Sequence, residues 1–134
     1  MRHDIIQAHQ QVGYLLEHLR QSDGAAREVF AGALAAAARV AHDAHRRVTH
    51  PVLAQDEEGR ALVGHETALF EEMLWRLDEL HLGQVTHAAY NAMQTAADGA
   101  IERWLRFVED CVLPTYRHAS RAAPVAPAAK ISWY

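Results

Sequence analysis

The chain has 134 residues, half of them hydrophobic and 22% charged, with a net charge of −4. That length suits one domain with a sizeable core. The acidic balance, with arginines spread among acids and no basic stripe, argues against a nucleic-acid surface. The single cysteine, Cys111, rules out an internal disulfide and a thiolate-only metal site. No run of about 18 apolar residues is present, so no membrane span is expected. Met1-Arg2-His3-Asp4 leads into an amphipathic stretch rather than an apolar signal core, which makes a cytoplasmic address the default expectation. Alanine, leucine, glutamate and arginine dominate and β-branched residues are few, so helix is favoured.

Four helices are predicted in chain order. The first runs from about Asp4, a candidate N-cap, to Arg20, with Ile5, His9, Val12, Leu16 and Leu19 on its inward seam. Gln21-Ser22-Asp23-Gly24 breaks it. The second runs from Ala25 to about Val48, with a kinked continuation past Pro51 as the alternative. Its seam is Leu34, Ala38, Ala41, His45, Val48 and Val52. Asp56 can cap the third helix, whose seam is Leu62, His65 or Glu66, Leu69, Met73, Leu77 and Leu80, and His81-Leu82-Gly83 ends it. The fourth starts near Thr86 and carries Tyr90, Met93, Ala97, Ile101, Trp104, Val108 and Cys111 inward. Residues 1–120 thus read as one helical domain. Residues 121–134 form a Pro/Ala-rich tail whose end, Ile131-Ser132-Trp133-Tyr134, is apolar enough to dock on the domain or to pair in a homodimer.

The two halves look like weak copies of each other. His9 and His65 each open an apolar stripe, and each following helix meets a proline, Pro51 or Pro114. A doubled helix pair predicts an all-α, up-down-up-down four-helix bundle, a fold that builds cofactor sites from facing helices. Polar side chains on apolar seams are then the informative exceptions. His9, His45 and His65 fall on three different seams, with His42 one step from His45 and Glu66 beside His65. Three imidazoles with an open position suit one transition-metal ion: zinc, copper or iron. Equally, histidines on a seam can be satisfied core residues without any metal. A haem would need an axial histidine facing an apolar slot, and His45 or His65 against Trp104, Phe70 and Met73 can supply one.

On these residues the chain resembles the hemerythrin-like, or HHE cation-binding, family over about residues 5–116. The resemblance implies a four-helix bundle with a non-haem diiron site used for oxygen, nitric oxide or peroxide chemistry or for iron sensing. The family pattern has a His in helix one, His-x-x-x-Glu in helix two about ten residues before a proline, a His in helix three, and a second His-x-x-x-Glu before a second proline. His9 matches the first element and His65 with Glu66 the third. Counting back from Pro51 gives Ala41 and His45, and counting back from Pro114 gives Trp104 and Val108. Ala41, Trp104 and Val108 offer no iron ligand, and His45 is neutral where the family has a bridging carboxylate. The diiron activity is therefore not carried over. An indole at position 104 would fill space that a second metal occupied, and its N–H would need an acceptor such as His45 or His65.

The expected function is a small hemerythrin-like metal- or ligand-binding protein with an eroded diiron site, any remaining ion being held by His9, His45 and His65. The alternatives are a metal-free structural or interaction bundle, and a haem- or small-molecule-binding enzyme with a histidine beside Trp104.

Overall fold

The computed structural model describes residues 2–81 and 87–122, and these are helical apart from short connections. Helix α1 spans Arg2–Gln21, α2 Ala25–Leu53, α3 Glu57–His81 and α4 His87–Phe107. A π-helical turn, Val108–Val112, joins α4 to α5, Leu113–Ala122. The helix ends expected at Gly83 and Thr86, and the docking role expected for Ile131 to Tyr134, lie outside the described residues.

Side-chain pairs across the helices fix their directions. His9 meets His45 near one end of α1, while Arg20 at the other end binds Asp98 of α4. Arg39 pairs with Asp78 and His50 with Glu66, and Arg103 reaches Glu72. His50 late in α2 meets Glu66 in the first half of α3, whereas Arg39 earlier in α2 meets Asp78 near the end of α3, so these helices run antiparallel, and His9 early in α1 against His45 late in α2 gives the same sense for that pair. The short connections at residues 22–24 and 54–56 require the same arrangement. Arg20 ties the end of α1 to α4 with a forked pair to Asp98 at 2.6 and 2.7 Å, and it also binds Glu17 and Glu102.

The predicted seams are occupied with adjustments. On α1, Ile5, His9, Val12, Leu16 and Leu19 are all buried, and the helix begins at Arg2, ahead of the anticipated cap at Asp4. On α2 the seam follows the true helical period past His45, so Thr49 and Leu53 are buried where Val48 and Val52 were expected. The helix also runs through Pro51 to Leu53. On α3 Glu66 faces inward with Phe70, Met73, Leu77 and Leu80, and Leu62 and Leu69 are only half-buried. On α4 Ala97, Ile101 and Trp104 are buried as expected, as is Val108 at the start of the π turn, whereas Tyr90 and Met93 are half-buried. In the π turn the Leu113 N–H bonds to the Val108 carbonyl, one residue further back than in an α-helix. The extra residue hands the seam to Val112, leaving Cys111 half-buried.

The α2–α3 connection depends on one glycine. A Cβ on Gly59 would sit 1.7 Å from the Leu53 carbonyl oxygen, so only a hydrogen fits between the end of α2 and the start of α3. Asp56 Oδ1 accepts the Gly59 N–H at 2.7 Å and caps α3 there. Gly13 on α1 is the opposite case, with nothing within 4 Å of an added Cβ. Gly59→Ala should therefore destabilise the fold by about 1–3 kcal/mol through overpacking. Gly13→Ala should stabilise it by about 0.5–1 kcal/mol by relieving the helix of a flexible residue. Urea-unfolding midpoints that move in opposite directions are the expected result.

Candidate functional site

Every long helix sends a polar or indole side chain into one buried cluster. His9 comes from α1, His42, His45, Thr49 and His50 from α2, Glu66 from α3 and Trp104 from α4. Glu66 is fully buried and lies at its centre. Its Oε2 accepts the Trp104 indole N–H at 2.6 Å and His42 Nδ1–H at 3.0 Å. Its Oε1 accepts His50 Nε2–H at 2.8 Å. Burial alone would raise the carboxyl's pKa, but these three hydrogen bonds hold it well below the usual carboxylate range. Glu66 is thus an ionised carboxylate in the core, and its charge is met by N–H donors on three sides.

His9 and His45 form the second half of the cluster, and its tautomers follow from the contacts. Thr49 Oγ1 donates its one proton to the His45 carbonyl oxygen at 3.0 Å. Its 3.0 Å contact with His45 Nδ1 then requires Nδ1–H as the donor. A neutral His45 presents a bare Nε2, which accepts His9 Nε2–H across 2.7 Å. His9 Nδ1 is left as a lone pair, buried and without a hydrogen-bond partner among the described residues. Both rings are held neutral. Burial pushes His9 down to about 4, partly opposed by the charge of Glu66. Burial and the adjacent His9 push His45 down to about 3. The Trp104 ring stacks on His9 with centroids 5.0 Å apart, and His42 stacks on Phe70 at 4.0 Å.

The residues expected at a site separate into two groups. His9, His45, His42, Glu66, Trp104 and Phe70 are brought together. His65 is not: it is exposed, and its ring rests against Phe107 at 4.4 Å. Of the two neighbours on α3, burial selected Glu66 because its position continues the Phe70, Met73 and Leu77 face. The acceptor for the Trp104 indole is accordingly Glu66, not His45 or His65. Trp104, Phe70 and Met73 are buried together in the hydrophobic core. His50 and Thr49 belong to the cluster and were not anticipated. Their signal was present, since positions 42, 45, 49 and 50 lie on one helical face.

The donor set does not fit the diiron centre that the resemblance implies. Glu66 is the only carboxylate in the cluster, and both of its oxygens are occupied by N–H groups. Trp104 and Val108 are core residues at two of the ligand positions. Among the described residues no group of three or more His, Cys, Asp or Glu side chains is arranged to hold a metal ion. No described helix is long and apolar enough to cross a membrane. Comparison with family models, with curated proteins and with solved structures finds no match.

Two expectations follow from the cluster. Glu66→Ala should cost about 3–5 kcal/mol, because it strands N–H donors of the cluster that bond to no other acceptor among the described residues. Trp104→Phe, which removes one donor and keeps an aromatic ring, should cost about 1–3 kcal/mol. Chemical denaturation of both variants measures the difference. The second expectation concerns pH. His9 and His45 titrate lower in the folded chain than in the unfolded one, so the unfolded chain binds protons first as pH falls. Stability is then full above the unfolded histidine pKa of 6.5 and declines from there toward about 4. Each histidine contributes a slope of up to about 1.4 kcal/mol per pH unit. Below the unfolded carboxyl pKa of 4.5, protonation involving Glu66 adds to the loss. Thermal melts between pH 8 and about pH 4 should show a falling Tm, and His45→Gln should flatten the dependence.

Proposed function

We propose that the chain is a hemerythrin-like helical domain in which a metal-free hydrogen-bonded core stands in place of a diiron centre, and that it acts as a small-ligand-binding module. The observation that carries this reading is the internal pairing of the donors. Glu66 is held by His42, His50 and Trp104, and His9 is bonded to His45. A diiron centre needs several carboxylates to bridge the ions and balance their charge, and this cluster has one. The antiparallel helices and the inward positions of His9 and His45 support the family resemblance. The same positions are used here for hydrogen bonds.

A second reading, one transition-metal ion between His9 and His45, is favoured by the convergence of their Nε2 atoms. Two nitrogens at about 2.0–2.1 Å from a tetrahedral ion would stand roughly 3.3 Å apart. The observed 2.7 Å is a hydrogen-bond distance, so the pair would have to open to admit an ion, and a further donor would have to leave Glu66 or its partners.

Calorimetric titration of zinc into metal-free full-length protein separates the two readings. No more zinc should bind to the wild type than to the His9→Gln/His45→Gln variant. Tight uptake of one equivalent by the wild type alone would establish the second reading.

A further inference from the structure

Helix α2 carries two apolar faces, and only one of them is turned to the core. Ala31, Leu34, Ala38, Ala41 and His45 are buried on that side. On the opposite side Val29, Ala33, Ala36 and Val40 repeat at four-three-four spacing, and all four are exposed. The two valines are 66% and 62% exposed. The outer face of a bundle helix is ordinarily polar. Toward α1 the patch widens. Phe30 is half-buried beside Val29, its ring stacks on His18 at 5.2 Å, and His18 lies 4.4 Å from the exposed ring of Tyr14. Beyond Val40 the same spacing continues with Asp43 and Arg47, which pair with each other at 3.3 Å. A continuous exposed apolar patch with a polar edge marks a protein contact.

The charges around the patch choose its occupant. Consider the same helix laid across it antiparallel, centred between Ala33 and Ala36. Val29 then meets Val40 of the partner subunit, and the small alanines at the middle let the two backbones come close. On the flank next to α3, Glu28 and Arg39 lie near one line, because the eleven residues between them make about three turns. In this register Glu28 stands within roughly 3 Å, along the axis, of Arg39 of the partner subunit. Two-fold symmetry makes that pair twice. Arg39 is half exposed and lies 3.6 Å from Asp78, so its guanidinium can serve both acids. Arg46 and Arg47 come beside the turn that holds Asp23 of the partner subunit. A parallel pair would instead set Glu28, Arg39, Asp43 and Arg47 each against its own copy, which is repulsive at every position. A partner helix of one charge sign would satisfy only half of these groups. The pattern is complementary to itself, reversed.

We propose that this face of α2 binds α2 of a second copy of the chain, antiparallel about a two-fold axis, with Val29 against Val40 of the partner subunit and Glu28 beside Arg39 of the partner subunit. The contact lies on the side of α2 away from His45 and is independent of the buried cluster. A single helix pair is a small interface, so the dimer should dissociate in the micromolar range.

Sedimentation equilibrium of the full-length protein across that range tests it. The wild type should approach twice the 15.0 kDa chain mass. Val40→Glu should remain a monomer with unchanged helical circular dichroism, since the replaced side chain is exposed and glutamate suits a helix. Arg39→Glu should weaken the dimer about tenfold, two exposed pairs each being exchanged for a repulsion. Glu28→Arg/Arg39→Glu should restore it, because the two charges are swapped across the same contact. A wild type that is monomeric throughout would overturn the proposal. If it then dimerises when residues 131–134 are removed, the tail is the occupant of this face. A dimer that survives Val40→Glu would place the interface elsewhere. A dimer lost in Arg39→Glu and not restored in the double variant would overturn the antiparallel register.

Discussion

A carboxylate buried among four helices is the constraint that organises this molecule. Glu66 cannot keep its charge in the core without donors, and it takes them from two other helices: His42 and His50 on α2 and Trp104 on α4. Each donor has a fixed reach, so each bond specifies the height and rotation of its helix relative to α3. The His9–His45 bond does the same for α1 and α2. Apolar seams alone tolerate sliding by a turn, whereas a polar network of this kind is satisfied in one alignment only. Buried polar groups can fix helical register in this way at some cost in stability.

The surrounding packing serves the same alignment. Trp104 lies flat on His9 while its N–H reaches Glu66, so one side chain closes both halves of the cluster. Phe70 stacks on His42 and holds its ring edge toward Glu66. Gly59 lets α2 and α3 come together tightly at the connection that precedes the cluster. On the outer surface, Arg20 links α1 to α4 through Asp98 and Glu102. Long-range order therefore comes from a few directional contacts set in an otherwise alanine- and leucine-rich interior.

Much of the fold could be read from the sequence, because seam spacing and turn residues are local signals. The inward positions of His9, His45, Trp104 and Val108 follow from periodicity alone. The choice between His65 and Glu66 does not. Adjacent residues differ by about 100° around a helix, so a small change in phase exchanges them, and the buried member is decided by the long run through Phe70, Met73 and Leu77. His50 was obscured by Pro51, which suggested an ending where the helix in fact continues for two more residues. The one-residue slip at Val108–Val112 was hidden for a related reason. Nothing in its composition marks a π turn, and its effect is visible only in Val112 taking the place expected for Cys111.

That slip has a consequence for how the chain can change over time. A π turn is a single added residue absorbed within a continuous helix, so α4 and α5 are two phases of one rod joined at a seam in register. Upstream of it Ala97, Ile101 and Trp104 are buried on one phase of the rod, and downstream Leu113 begins α5 on the shifted phase. The segment between Val108 and Leu113 is thus where the chain can gain or lose a residue and re-aim its final helix while leaving the Glu66 network undisturbed. Inheritance of length variation would concentrate there, and the face presented by α5 would be the part of the surface remodelled by it.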